Sequence, residues 1–263
     1  MRSRYWVAGL LAAGMIAVVQ AQPGMFGFGG GGPSFLVINK AVQEELKMTE
    51  EQISKINEWS KEFFRTAMEI RKEHGVEFKF GGKGGFGFGK LSDEDKAKLE
   101  KANAAIAQEA YKQLGDILNK DQITRLKQLE RQMLGVTAFT TQEIVDALKL
   151  TDSQKATVKG VISDFQAERR ELMADLGFGK GGGGKGKFDP EAFKEMAKRF
   201  QEVQTKVNKA EEEAINKILD VLDDNQKKTW KELVGAPFDR SRMFQGGFGF
   251  GDFGKGKFKK KDD

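Results

Sequence analysis

The sequence predicts an all-α protein made of two tandem four-helix units, and three observations lead to this fold class. Outside its Gly-rich tracts the chain is rich in Glu, Lys, Ala and Leu, and apolar residues recur every three or four positions, as on a helix with one buried face. No stretch alternates apolar and polar residues for long enough to indicate a strand. The chain also repeats itself: residues 46–52 (LKMTEEQ) match 148–154 (LKLTDSQ), and residues 117–122 (ILNKDQ) match 221–226 (VLDDNQ). These offsets of 102 and 104 residues indicate a duplication.

Residues 1–21 are a predicted signal peptide. Arg2 and Arg4 precede an apolar or small-residue run from Val7 to Val19, and Ala21 supplies a small residue that signal peptidase reads. The alternative is a membrane anchor, but these 13 residues fall short of the roughly 20 that span a bilayer as a helix. We therefore expect cleavage after Ala21 and a soluble mature chain, without an integral membrane segment, in the periplasm or another extracytoplasmic space.

The composition limits the class of protein further. The chain has no Cys, so packing and not disulfide bonds must stabilise it. Without Arg2 and Arg4, 42 basic residues stand against 39 acidic ones. This balance argues against a dedicated nucleic-acid-binding protein, which usually has a strongly basic domain.

Four Gly-rich tracts divide the chain. Each glycine costs a helix about 1 kcal/mol relative to alanine, so the tracts are predicted to be flexible loops and tails. The two internal tracts join the longest helices of each unit, which are therefore expected to fold back as antiparallel hairpins. The tracts are residues 24–32, 81–89, 177–187 and 246–261. The predicted organisation is a signal peptide (1–21), a Gly-rich N-terminal tail (22–33), a first unit (34–135), a second unit (136–236) and a Gly/Phe/Lys-rich C-terminal tail (237–263).

Capping boxes indicate where several helices begin. In Thr49-x-x-Gln52 the hydroxyl accepts from the third helical N–H while the glutamine side chain reaches back to the cap residue. Three other places have the same form. The predicted capping motifs comprise Met48, Thr49 and Gln52; Leu118, Asn119 and Gln122; Leu150, Thr151 and Gln154; and Leu222, Asp223 and Gln226. Together with the tracts they predict helices over about 35–47, 50–74, 93–118, 120–134, 141–149, 152–176, 190–222 and 224–234.

These motifs resemble those of the periplasmic LTxxQ-motif family, whose members include the stress-response proteins Spy and CpxP. The resemblance lies in residues 48–52 and 150–154, with echoes at 118–122 and 222–226, and in the helix order and signal peptide. It covers about Phe35 to Gly235. Only the first and third motifs keep the threonine, and the Gly/Phe/Lys insertions are not a hallmark of the family.

The resemblance implies an ATP-independent periplasmic chaperone or a regulator of stress signalling. Members of the family form a thin, curved, all-helical cradle, usually as a two-fold dimer, and hold non-native clients. Because this chain contains two units, we expect a single molecule to form a pseudo-dimer cradle.

The residues that catalysis needs are sparse, so we expect a binding protein and not an enzyme, with no cofactor and no metal. The single histidine, His74, lies just before Gly75 near a predicted helix end, where it is expected to contact the end carbonyls. The acidic run of Asp220, Asp223 and Asp224 is better explained by a capped helix start than by a cation site.

One candidate surface lies on the first long helix. Phe64 and Met68 fall outside its main apolar stripe and have cationic neighbours, an arrangement that suits adaptable capture of unfolded, often acidic, chains. The alternative is that they pack against the other unit or a second chain. At the equivalent positions the second unit has Gln166 and Arg170. The candidate client-binding residues are Trp59, Phe64, Arg65, Met68, Arg71 and Lys72.

The Phe-Gly tracts are a second candidate. Phenylalanines in flexible glycine can adhere transiently to apolar segments or to one another; alternatively, the tracts are tolerated loop expansions. The leading hypothesis is a periplasmic chaperone-like protein whose partners are non-native or envelope proteins. The alternatives are a scaffold that self-associates through its Phe-Gly tracts, or a regulator of an envelope stress sensor.

Overall fold

The computed structural model describes residues 32–76, 92–174, 176 and 190–243. Within these ranges the chain has α-helices, two short 3-10 segments and no strand, which confirms the predicted all-α class. The predicted signal peptide, residues 22–31, the tracts at 81–89 and 177–187, and residues 244–263 lie outside the described residues. The helices are α1 (Pro33–Leu36), α2 (Lys40–Glu45), α3 (Glu50–Glu73), α4 (Asp93–Leu114), α5 (Lys120–Leu134), α6 (Gln142–Leu148), α7 (Asp152–Ala174), α8 (Pro190–Asp220) and α9 (Asp224–Val234), and the 3-10 segments are Gly135–Thr140 and Arg240–Met243.

The helix predicted over residues 35–47 is wrong, because the structure has two short helices there. Asn39 has an extended backbone, and its side chain accepts a hydrogen bond of 3.0 Å from the Ala41 N–H, so it caps the start of α2. In the gap between the helices, Gln43 Nε2 donates to the Val37 carbonyl at 3.1 Å. An asparagine that caps one helix cannot continue the helix before it, which explains the break.

The long helices form two antiparallel hairpins. In the first, Trp59 of α3 contacts Gln113 of α4, whereas Gly75, just after α3, lies near Lys98. In the second, α7 packs along α8. In the sequence, an internal Gly-rich tract separates the two helices of each hairpin; both tracts lie outside the described residues.

Each half of the chain has its own apolar core. The N-terminal half (α1–α5) buries a main cluster to which all five helices contribute, α3 through Ile56, and a smaller cluster between α3 and α4. The C-terminal half (α6–α9) buries a single cluster that runs along α7 and α8 and ends on the 3-10 segment Gly135–Thr140. In that cluster Phe139 stacks on Trp230, with ring centroids 4.0 Å apart.

The two halves meet where α5 packs against α9. Side chains of α5 donate to carbonyls at the end of α9: Gln128 to Glu232 at 3.1 Å and Arg131 to Leu233 at 2.8 Å. The last four carbonyls of a helix lack partners inside it, so these bonds satisfy acceptors that would otherwise need water. The contact between halves is therefore also a helix cap.

Two glycines end α5 and α9 with the same backbone geometry. Gly135 has φ of 56° and Gly235 has φ of 64°, both in the left-handed region. A side chain at Gly135 would collide with Glu211, and one at Gly235 would collide with Gln128. The positive φ favours glycine at both positions, and a side chain there would also displace the carboxylate of Glu211 or the amide of Gln128.

The predicted C-terminal tail is wrong for residues 237–243, which we call the strap. The strap follows α9 and packs back onto the N-terminal half, where Phe238 and Met243 join the main core with 9% and 5% of their surface exposed. Asn39 Nδ2 donates to the Met243 carbonyl at 3.1 Å, and Arg242 forms an ion pair with Glu44 at the same distance. The first core is thus completed by residues from the end of the described chain.

Among the described residues no helix combines the length and the hydropathy needed to cross a membrane.

Candidate functional site

The four predicted capping motifs lie at the starts of α3, α5, α7 and α9. At the first, the Thr49 hydroxyl accepts from the Gln52 N–H at 3.2 Å, and Gln52 Oε1 accepts from the Thr49 N–H at 3.1 Å. The other three make the same reciprocal pair of bonds. The apolar residue before each cap is buried at Leu118, Leu150 and Leu222, and half-buried at Met48.

The motif glutamines also pair with each other, which sequence reasoning missed. Gln52 Nε2 donates to Gln122 Oε1 at 2.8 Å, and Gln122 Nε2 donates back to Gln52 Oε1 at 3.0 Å. The second proton of each amide goes to a backbone carbonyl, that of Ile117 at 2.9 Å and that of Leu46 at 3.1 Å. With the cap bonds included, both glutamine amides use all their donors and two acceptor sites each.

The C-terminal half contains the same arrangement. Gln154 and Gln226 exchange hydrogen bonds of 2.7 and 3.1 Å, and their remaining protons go to the carbonyls of Val221 and Leu148, both at 2.9 Å. Each glutamine pair therefore ties the start of one long helix to the start of the last helix in the same half. The spacing inside one motif reveals only the cap, because the paired motifs are about 70 residues apart.

A left-handed lysine precedes both threonine motifs. Lys47 has φ of 49° and Lys149 has φ of 51°, a conformation that residues with side chains adopt rarely. It turns the chain between the short helix and the long one, and the carbonyls of the residues just before it, Leu46 and Leu148, accept from the glutamine pairs. The motif glutamines thus help to hold a turn that would otherwise be strained.

The candidate client-binding residues do not all lie on one surface. Phe64 is 55% exposed, the highest value among the large apolar residues that the structure describes, and Met68, one turn further on, is half-buried. Lys61, Arg65 and Lys72 are exposed and lie beside them at helical spacing. We call these five residues the α3 patch.

Trp59 and Arg71 are not part of this patch. Trp59 is half-buried in the hairpin, stacks on Phe63 with centroids 4.6 Å apart and donates from Nε1 to Gln113 at 2.8 Å. The prediction that Arg71 rims an exposed surface is wrong, because only 4% of it is exposed and burial lowers the pKa of its guanidinium. Arg71 follows the buried Ala67 by one turn and so shares its core-facing side.

A polar cluster at the junction of the halves was also missed. Tyr111 OH donates to Glu130 at 2.6 Å, and burial raises the pKa of both groups. Beside them the buried Arg131 bridges the Leu233 carbonyl and Glu143, both at 2.8 Å. The bonds of this cluster are internal, so its role is to position α5.

The remaining sequence candidates have structural roles in the described part of the chain. His74 Nδ1 lies 2.9 Å from the Ile70 carbonyl, as expected for a residue that caps a helix end. Asp223 caps α9 through a bond of 2.8 Å from the Gln226 N–H. No three His, Cys, Asp or Glu side chains among the described residues are grouped so that they could hold a metal ion.

Comparison with known proteins identifies one family. Residues 137–234 match the model described as LTXXQ motif family protein, a range that runs from the 3-10 segment before α6 to the last residue of α9. No curated protein and no solved structure matches the chain. The predicted duplication stays a prediction, since the match covers only the second unit. Residues 137–234, which form the second unit, are therefore similar to the LTXXQ motif family.

Proposed function

We propose that this protein is an ATP-independent, periplasmic chaperone-like protein that holds non-native envelope proteins reversibly. The observation that carries the proposal is the α3 patch, an exposed phenylalanine and an adjacent methionine flanked by cations. The match of residues 137–234 to the LTXXQ motif family supports the proposal, because that family includes periplasmic chaperones and stress-response proteins.

The chemistry of the patch suits weak and adaptable binding. Burial of one exposed Phe or Met side chain contributes about 1.5–3 kcal/mol, which is too little for a permanent complex but enough to slow aggregation when several contacts act together. Methionine adjusts its shape to different partners more readily than branched residues do. Such a surface would favour many unfolded sequences over one folded partner.

The test is suppression of aggregation. The chain from Gln22 to Asp263 is mixed at near-stoichiometric ratio with a chemically denatured model protein, without ATP, and light scattering is followed. We expect suppression by the wild type and a several-fold loss in a variant with Phe64→Ser and Met68→Ser. Ile38→Ser is the matched control, because Ile38 is a comparably exposed apolar residue, at 45%, located between α1 and α2.

Deletion of the Gly-rich tracts separates this proposal from a scaffold. A chain that lacks residues 244–263 is expected to keep most of its holding activity, because the α3 patch is intact. Equal activity of the patch variant and the wild type, together with self-assembly that disappears on deletion, would reject the chaperone proposal in favour of the scaffold.

A further inference from the structure

We propose that each chain binds one client segment, at the α3 patch only, and that this segment combines apolar side chains with carboxylates. The inference rests on the proposed holding function and assigns its site, its stoichiometry and the chemistry of the bound segment. It departs from a symmetric cradle, in which both halves would hold a client alike.

The apolar part of the site is a short stripe on one helix face. Phe64 and Met68 are four residues apart and therefore lie on the same side of α3, one turn from each other. The buried residues Phe63 and Ala67 lie on the adjoining side of α3, which faces the core and packs against α4. Phe64 is thus left out of the hairpin core and available to a partner.

The charged part of the site is cationic. Lys61, Arg65 and Lys72 are exposed, lie next to Phe64 or Met68 at helical spacing, and form no ion pair with any described residue. Arginines elsewhere in the described chain, such as Arg125 and Arg242, are paired with glutamates at 2.7 and 3.1 Å. Three unpaired cations along one apolar stripe complement a partner that has carboxylates beside its apolar side chains.

The exposed acidic residues of α3 do not neutralise the positive charge of these cations beside Phe64 and Met68. Glu58, Glu62 and Glu69 are exposed, but helical spacing places them farther around the helix from Phe64 than the three cations. A bound segment that covers Phe64 and Met68 therefore meets the cations first.

The equivalent face of α7 lacks the site. At the offset of 102 residues, the α3 patch corresponds to Ser163, Gln166, Ala167, Arg170 and Ala174. Gln166 and Arg170 replace Phe64 and Met68, and none of the three cations of the α3 patch has a cationic counterpart. Although the two hairpins share their capping motifs and glutamine pairs, of their described long helices α3 has an apolar surface with a cationic border and the equivalent face of α7 does not.

Isothermal titration calorimetry with two synthetic peptides tests the proposal. Both peptides have leucines at every fourth position; one has glutamates between them and the other has lysines. The chain from Gln22 to Asp263 is expected to bind the acidic peptide at one site per chain and the basic peptide at least about tenfold more weakly, because three cations attract the first and repel the second. Added salt should reduce this preference.

Two variants make the test independent of misfolding. Charge reversal, Arg65→Glu with Lys72→Glu, should lower affinity for the acidic peptide and raise it for the basic one. A graft that supplies both the apolar and the cationic part, Gln166→Phe and Arg170→Met with Ala167→Arg and Ala174→Lys, should add a second binding site, a gain that a damaged protein could not imitate. Circular dichroism checks that both variants keep the wild-type helix content.

The outcomes separate this inference from the proposed function. Two sites in the wild type, equal binding of the two peptides, or an unchanged stoichiometry in the graft would each overturn the inference, even if aggregation is still suppressed. Failure of the wild-type chain to suppress aggregation would instead reject the holding function itself.

Discussion

Replacement of Gln122 by alanine should destabilise the protein far more than a typical surface substitution. The amide of Gln122 makes four hydrogen bonds: with the Asn119 N–H at 3.0 Å, with the Leu46 carbonyl at 3.1 Å, and with Gln52 in both directions at 2.8 and 3.0 Å. Each such bond contributes about 0.5–1.5 kcal/mol net, and water can replace some of them at the half-exposed Gln52, so we expect a loss of roughly 2–4 kcal/mol.

The assay is urea unfolding followed by far-UV circular dichroism. The matched control is Gln204→Ala, because Gln204 is exposed on α8 and makes one side-chain bond, to Asn208 at 2.9 Å. We expect the control to change the free energy of unfolding by no more than about 0.5 kcal/mol.

A double-mutant cycle sharpens this prediction. Because Gln52 and Gln122 share their bonds, Gln52→Ala should cost much less in the Gln122→Ala background than in the wild type. If the two losses simply add, or if Gln122→Ala is no worse than the Gln204 control, then the glutamine pair does not hold the helix starts together.

Three further predictions use the same unfolding assay. Phe238→Ala should cost about 3 kcal/mol, because it removes a core side chain of the strap, whereas Phe64→Ala should cost little; similar losses in both would contradict the burial of Phe238. Burial raises the pKa of Glu130 above its ordinary 4.5, so the native state binds this proton more tightly than the unfolded chain does, and stability from this group falls as pH rises through the folded pKa. Glu130→Gln should therefore be the more stable variant at neutral pH, and its advantage over the wild type should shrink as pH falls toward 4.5; an advantage that does not change with pH would refute this. Gly235→Ala should lose about 1–2 kcal/mol through its positive φ and the clash with Gln128, while Gly160→Ala, at an open position in α7, should gain up to about 1 kcal/mol; the opposite order would show that backbone geometry does not decide these positions.

Local rules explain the success of the fold prediction. A capping box involves residues three apart, and the apolar period of a helix can be counted within a few turns, so both are visible in one stretch of sequence. The starts of α3, α5 and α9 follow directly, with Thr49, Asn119 and Asp223 at the caps. The predicted helix over 35–47 failed because Asn39 was not recognised as a cap, although its residue type favours that role.

Contacts between distant residues could not be read in the same way. Gln52 shows its capping role within its own motif, but its bond to Gln122 depends on how the hairpin closes. The strap was hidden for a different reason: it adjoins a Gly-rich stretch whose composition dominated the interpretation of its neighbours. Phe238 and Met243, which no glycine adjoins, were the available signal.

The candidate surface was predicted in part. Phe64 follows the core residue Phe63 directly, so helical geometry must turn one of them outward. The same geometry excludes Arg71, which lies one turn after the buried Ala67. Counting positions from a core residue, and not from the nearest exposed one, would have removed Arg71 from the set.

The strap has a consequence for the order in which the chain matures. The core of the N-terminal half includes Met243, whose carbonyl accepts from Asn39 across a separation of 204 residues. A chain synthesised or exported from its N-terminus therefore has an unfinished first core until the strap emerges, whereas the described residues in the core of the C-terminal half all lie between 134 and 234. The core of the half that carries the α3 patch is therefore complete only after residues 237–243 have followed the whole of the C-terminal half.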